Sequence, residues 1–194
     1  MMDPLSILAL AAETVQRGEA TKSWPDFNVR KGRLADIPSL NAIERSAAEI
    51  FRTVNLDSLV DHPPLSRFSL TSLIDAGHIW VAVNRWDELV GFVGGENICG
   101  NFHIIEISVA HSYQGRGVGK GLMQRMMEDV KREGYNATTL ITFRHIPWNG
   151  PFYRKLGFME VDLAEMGYDY LQIWQQELNL GLNMDQRCVM GKVL

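Results

Sequence analysis

The stretch QGRGVGKG, residues 114–121, constrains the fold more than any other part of the chain. Four glycines alternate there with Gln114, Arg116, Val118 and Lys120. The strand-like run EISV ends four residues before it. After it, Val118, Leu122, Met126 and Val130 repeat every four residues, with Met123 and Met127 beside them. A period of two giving way to a period near four across glycines is a strand turning into an amphipathic helix. Gly134 closes that helix, and ATTLITF (137–143) reads as a buried strand. Two strands joined through one helix by short links make a parallel βαβ unit.

The rest of the chain is arranged around that unit. FNVRKG (27–32) reads as a first strand. Asp36 stands where it could cap a helix running to about Ile50, with Pro38 in the first turn. Residues 51–66, ending in Pro63–Pro64, read as irregular or broken helix, and Ser66 to Ala76 as a short helix stopped by Gly77. HIWVAVN (78–84), ELVGFVGGENI (88–98) and FHIIEISV (102–109), joined by turns at Arg85–Asp87 and Gly100–Asn101, form a three-stranded meander. Beyond residue 143, FYRKLG (152–157) is a short helix between Pro151 and Gly157, and FMEVD is a strand. Residues 164–180 read as a helix with Met166, Tyr170, Ile173, Trp174 and Leu178 on one side, and RCVMGKVL as a last strand. The expectation is an α/β mixed sheet, antiparallel strands first and then a parallel pair, flanked by helices in a single domain over 27–194. Ahead of it, Leu5, Leu8, Ala9 and Ala12 fall at helical spacing, so 1–26 is expected to be an amphipathic helical extension. The run LSILALAA is too short to span a bilayer, and Asp3 stands where a signal peptide would carry Lys or Arg.

Composition narrows the function classes. Lys and Arg number 19 against 23 Asp and Glu, a net charge of −4, which argues against a nucleic-acid partner. Hydrophobic residues at 46% and charged residues at 22% are those of a globular protein with no membrane segment. Cys99 and Cys188, far apart, make neither a disulfide framework nor a zinc site, so no metal is expected and a reducing, cytoplasmic setting is the simple reading.

The glycine loop fails two phosphate motifs. A P-loop requires Gly at 114 and Ser or Thr at 121, where this chain has Gln114 and Gly121. A dinucleotide fingerprint requires a third glycine where Lys120 or Leu122 stands. What remains is a strand-to-helix loop presenting main-chain N–H groups and the positive end of a helix dipole, with Arg116 and Lys120 adding charge. A diphosphate suits it. The pattern Gln114-x-x-Gly117-x-Gly119, after EISV and before an amphipathic helix, resembles the acetyl-CoA pyrophosphate loop of the GNAT N-acetyltransferase superfamily. FYRKLGF (152–158) resembles that family's tyrosine-bearing helix and following strand.

The resemblance implies a sheet whose parallel pair splays around acetyl-CoA, here the strands at 102–109 and 137–143. It implies that Ile107, Ser108 and Val109 line the pantetheine arm and that Gln114, Gly115, Arg116, Gly117, Val118, Gly119 and Lys120 take the pyrophosphate. It further implies that the Val109 N–H polarises the thioester carbonyl and stabilises the tetrahedral intermediate. Tyr153 matches the family's proton donor to the leaving thiolate. For the base, Glu106 and His103 both stand on the same strand; alternation of faces keeps them from sharing a side unless a bulge intervenes. A water relay is the third route, and His78, His111 and His145 read as ordinary loop or strand-end residues. Asn149, four residues before Tyr153, stands closer to it than the family's usual asparagine but is retained as a cofactor contact. Trp148 reads as a plug over the core. The acceptor is expected to be the primary amine of a small molecule or peptide. The family also includes many homodimers. The alternative from another class is a domain that binds acyl-CoA as a sensor and does no chemistry.

Overall fold

The computed structural model describes residues 27–179 and 181–194. The extension expected over 1–26 lies outside the described residues. Among the described residues there are seven strands: β1 (Phe27–Lys31), β2 (Ile79–Asn84), β3 (Leu89–Ile98), β4 (Asn101–Val109), β5 (Ala137–Phe143), β6 (Met159–Val161) and β7 (Arg187–Val193). The helices are α1 (Ile37–Ala48), α2 (Asp57–Val60), α3 (Arg67–Asp75), α4 (Val118–Arg132), α5 (Gly150–Lys155) and α6 (Tyr168–Asn179). The strands form one sheet in the order β1-β2-β3-β4-β5-β7-β6. β1–β2 and β2–β3 are antiparallel, and β4–β5 is parallel, as the sequence implied. The βαβ unit is therefore β4–α4–β5. Among the described residues no helix is long and apolar enough to cross a membrane.

The described residues group into two compact units, and the division falls inside β4, between Ile104 and Ile105. The first unit holds residues 27–96 and 105–126. Its core is Ile37, Leu40 and Ile43 from α1, Leu70 and Leu73 from α3, and Ile79, Val81, Val83 and Phe92 from the sheet. Removing this apolar surface from water is what holds the helices to the strands. The start of α1 departs from the expectation. Asp36 does not cap α1 with its side chain. Its carboxylate instead accepts from Arg30 at 2.7 and 3.1 Å and from the Arg33 N–H at 2.9 Å. Burial alone would raise the Asp36 carboxyl, but the bonds and charges of Arg30 and Arg33 outweigh it and hold it below its usual range. The short helix α3 follows expectation: Ser66 Oγ caps it by accepting from the Ser69 N–H at 3.0 Å.

The second unit holds residues 97–104, 127–179 and 181–194. β5 pairs in parallel with β4 over Phe102–Ile104 and antiparallel with β7 along its whole length. β7 thus stands between β5 and β6, a placement that the order of elements alone does not give. α6 packs Tyr170 against Val189, with Met166 buried just ahead of it. It begins later than the sequence reading has it. A single turn of 3-10 helix covers Leu163–Glu165, Gly167 takes φ +91°, and the helix starts at Tyr168. Only glycine adopts that backbone angle without strain, so the helix cannot run through it. Arg187 anchors α6 to β7 through a two-pronged bond to Glu177, at 2.6 and 3.0 Å.

Candidate functional site

In the first unit the chain leaves β4 through a series of short-range bonds. The Ala110 N–H donates to the Val90 carbonyl at 2.9 Å, and a 3-10 turn follows at His111–Tyr113. The His111 N–H donates to Ser46 Oγ on α1 at 3.1 Å. The Gln114 side chain donates from Nε2 to the carbonyls of Val109 (3.1 Å) and Ala47 (3.2 Å). Its amide therefore ties the loop to the end of β4 and to α1. Gly115 and Gly117 follow at φ +73° and +85°. Arg116 is exposed, its guanidinium 5.2 Å from the centre of the Tyr113 ring, and the Tyr113 hydroxyl accepts from Asn84 at 3.0 Å.

The Gly121 N–H donates to the Gly117 carbonyl at 3.0 Å, so the helical ladder of α4 has begun by that residue. Val118, Gly119 and Lys120 form the first turn of α4, and a helix start is where an anion is received. Close packing fixes this helix start. A Cβ on Gly91 of β3 would lie 3.0 Å from the Ser108 carbonyl and 3.2 Å from Val118 and Leu122 side-chain atoms.

Two carboxylates of the same unit are half-buried. Glu106 is half-buried on β4 and accepts from Ser108 Oγ at 2.7 Å. Burial raises its carboxyl, against the opposing bonds from Ser108 and the Ile107 N–H. Glu44, half-buried on α1, accepts the Leu65 N–H with both oxygens at 3.1 Å. Burial and then the charge of Glu106 push it up to about 7, against the Leu65 bond and Arg45. Glu44 was not among the residues singled out from the sequence. Its signal is nonetheless there: it falls seven residues after Ile37 and four after Leu40, a charge on the buried stripe of α1. Ser108 is buried, and Ile107 and Val109 are half-buried beside it.

In the second unit His103 is buried at 4% exposure. Its Nδ1 lies 3.0 Å from Thr139 Oγ1, which is 2.8 Å from the Tyr170 hydroxyl. Asn101 donates to that hydroxyl at 3.4 Å, and the His103 and Tyr170 rings meet edge to face at 5.5 Å. Burial pushes the imidazole down to about 4, so it is neutral at pH 7. His103 and Glu106 thus stand in different surroundings, in accord with the alternation of faces along a strand. Tyr153 is buried in α5, its ring edge-on to Phe152 at 5.1 Å and to Phe158 at 5.8 Å. Its N–H donates to the Asn149 carbonyl at 3.0 Å. The Asn149 side-chain oxygen is buried with no hydrogen-bond partner among the described residues. Trp148 is half-buried beside it.

Residues 75–160 match the family model described as an acetyltransferase (GNAT) domain. Among solved structures, the PaiA N-acetyltransferase of Thermoplasma acidophilum, in complex with coenzyme A, is 17% identical with a TM-score of 0.62; the match covers 87% of this chain and 99% of that one. The ribosomal-protein-S18-alanine N-acetyltransferase of Escherichia coli is 15% identical with a TM-score of 0.61, covering 86% of this chain and 93% of that one. The N-acetylglutamate synthase of Neisseria gonorrhoeae, complexed with coenzyme A and N-acetyl-glutamate, is 15% identical with a TM-score of 0.67. That match covers 90% of this chain and 36% of the longer one. Identities this low speak for the fold, while the family match covers the glycine loop and the tyrosine helix. Residues 75–160 match an acetyltransferase (GNAT) domain, and the mixed sheet that holds them has the fold of the solved acetyltransferases above.

Proposed function

We propose that this enzyme transfers the acetyl group of acetyl-CoA to the primary amine of a small molecule or peptide, and that residues 27–194 act as one domain in doing so. The observation that carries the reading is the loop between β4 and α4. Two glycines at left-handed backbone angles, in a loop tied to β4 and α1 by the Gln114 side chain, lead directly into the first turn of α4. A diphosphate is the anion whose size and charge fit such a helix start. Arg116 and Lys120 add positive charge. Relatives of the same fold were solved with coenzyme A bound, one of them with an acetylated amino acid.

Acetyl-CoA supplies the activated acyl group; the chain supplies the handling of protons and charge. An alkyl ammonium cannot attack a carbonyl until it loses a proton. Glu106 is the acceptor for that proton, because burial raises its carboxyl while His103 is committed to the interior with Thr139. The Val109 N–H steadies the oxygen that gains charge. Tyr153 donates to the departing sulfur, a role open to a phenolic hydroxyl. Gln114 serves the cofactor through the loop it holds in place.

The test is thiol release from acetyl-CoA in the presence of a panel of polyamines, amino acids, aminoglycosides and peptide N-termini. Release with at least one amine is expected. Tight CoA binding with no release for any amine would replace this reading with that of an acyl-CoA sensor.

A further inference from the structure

The glycine loop is held at both of its ends by one pair of facing residues. Phe27, first in β1, and Asn84, last in β2, stand opposite each other in the antiparallel register. The Phe27 ring lies against Gly121, where an added Cβ would meet it at 2.7 Å. Asn84 is buried at 6% exposure, and every donor and acceptor of its side-chain amide is used. Its Oδ1 accepts from the Trp86 and Glu88 N–H groups, each at 3.0 Å. Its Nδ2 donates to Glu88 Oε2 at 2.8 Å and to the Tyr113 hydroxyl at 3.0 Å. Three of those bonds close the turn between β2 and β3. The fourth leaves the turn and reaches the residue just ahead of Gln114. All of these residues belong to the first unit.

Tyr113 in turn bears Arg116. The guanidinium lies 5.2 Å from the ring centre, inside the reach of about 6 Å over which an aromatic face attracts a cation. Arg116 is exposed and has no ion-pair partner among the described residues. A guanidinium resting on a ring keeps its in-plane N–H fork for an anion, and a phosphate matches that fork with two parallel bonds. We propose that Asn84 is a positioning residue for the cofactor: through the Tyr113 hydroxyl it fixes the ring that aims Arg116 at the diphosphate of coenzyme A. The inference deepens the acetyl-transfer reading and rests on its assignment of the glycine loop.

An exposed arginine samples many rotamers, and holding an anion costs it that freedom. Arg116 is spared part of the loss because the ring beneath it already limits its range. The ring does this only while it is itself fixed, and the hydroxyl bond to the closed turn at Asn84 is what fixes it. The contribution is one of affinity for phosphate and takes no part in the acyl-transfer step. A purely structural role for the Tyr113 hydroxyl would loosen the loop whether or not Arg116 is present. A positioning role vanishes with Arg116.

Calorimetric titration of CoA into wild type, Tyr113→Phe, Arg116→Gln and the double variant separates the two. Tyr113→Phe removes the oxygen to which Asn84 donates and keeps the ring. A change at Asn84 itself would also open the turn and put folding at risk. Arg116→Gln is expected to weaken CoA by roughly 10-fold and Tyr113→Phe by roughly 3- to 5-fold. The double variant should bind no more weakly than Arg116→Gln alone, because the hydroxyl acts through the guanidinium. Losses that multiply in the double variant overturn the inference. So does unchanged affinity in either single variant, and both results leave the main-chain groups of the loop as the diphosphate site. Failure of the wild-type chain to bind CoA overturns the inference and the loop assignment together.

Discussion

Residue by residue, the chain accepts local costs where it buries titratable groups. An acid whose carboxyl is pushed up to about 7 in the fold binds its proton over a range in which the unfolded chain, near 4.5, has already released it. Glu44 therefore favours the folded state only while protonated, and stability declines as pH rises from about 4.5 through 7. Glu44→Gln removes that penalty. Its melting temperature should exceed that of wild type at pH 8 by roughly 2–4 °C for each kcal/mol relieved, and the two should converge at pH 4.5. A gain of equal size at both pH values would show that Glu44 is not raised by its surroundings. His103 has the opposite slope. Pushed down to about 4, it withholds its proton in the fold, so its contribution weakens as pH falls below its ordinary value of 6.5. Neither shift could be read from residue type. Each depends on what the rest of the fold packs around a carboxylate or an imidazole.

At the scale of elements, period and punctuation made most of the fold legible. The strand runs, the four-residue repeat of α4, and Gly77 and Gly134 at φ +72° and +94° after helices α3 and α4 all appear where the sequence put them. Two readings failed for local reasons. Asp36 resembled an N-cap because carboxylates favour that position, but Arg30 and the Arg33 N–H compete for the same oxygens. The sixth helix starts late because its periodicity gave no weight to Gly167. What period could not show is why α4 stands where it does. Gly91 lets the Val118 and Leu122 side chains lie against β3, close to the Ser108 carbonyl. Gly91→Val should therefore cost about 1–3 kcal/mol by overpacking. It should also weaken CoA binding, by displacing the helix start that carries the loop amides. Denaturant unfolding together with CoA titration checks both effects, and unchanged stability would remove Gly91 from the account.

For the whole molecule, the GNAT class and the glycine loop were visible in the sequence because both are local patterns, a strand, a glycine run and a helix in order. Lateral order was not: β7 enters between β5 and β6, and no periodicity states which strand pairs with which. The setting of Glu44 was hidden for the same reason, since the Leu65 N–H that it accepts comes from 21 residues further along the chain. His103 and Glu106 could be separated by strand alternation, but only the structure shows one beside Thr139 and the other beside Ser108. The claim on which the function depends is that the loop from Gln114 to Lys120 receives the diphosphate of coenzyme A. Calorimetric titration of CoA into wild type, Gly117→Ala and Gly117→Glu tests it directly. Gly117 sits at φ +85°, so both variants carry the same backbone strain, and only the second places a carboxylate at the helix start. The account predicts binding by wild type, a several-fold loss in Gly117→Ala and no detectable binding in Gly117→Glu. Equal affinity in the two variants would contradict it.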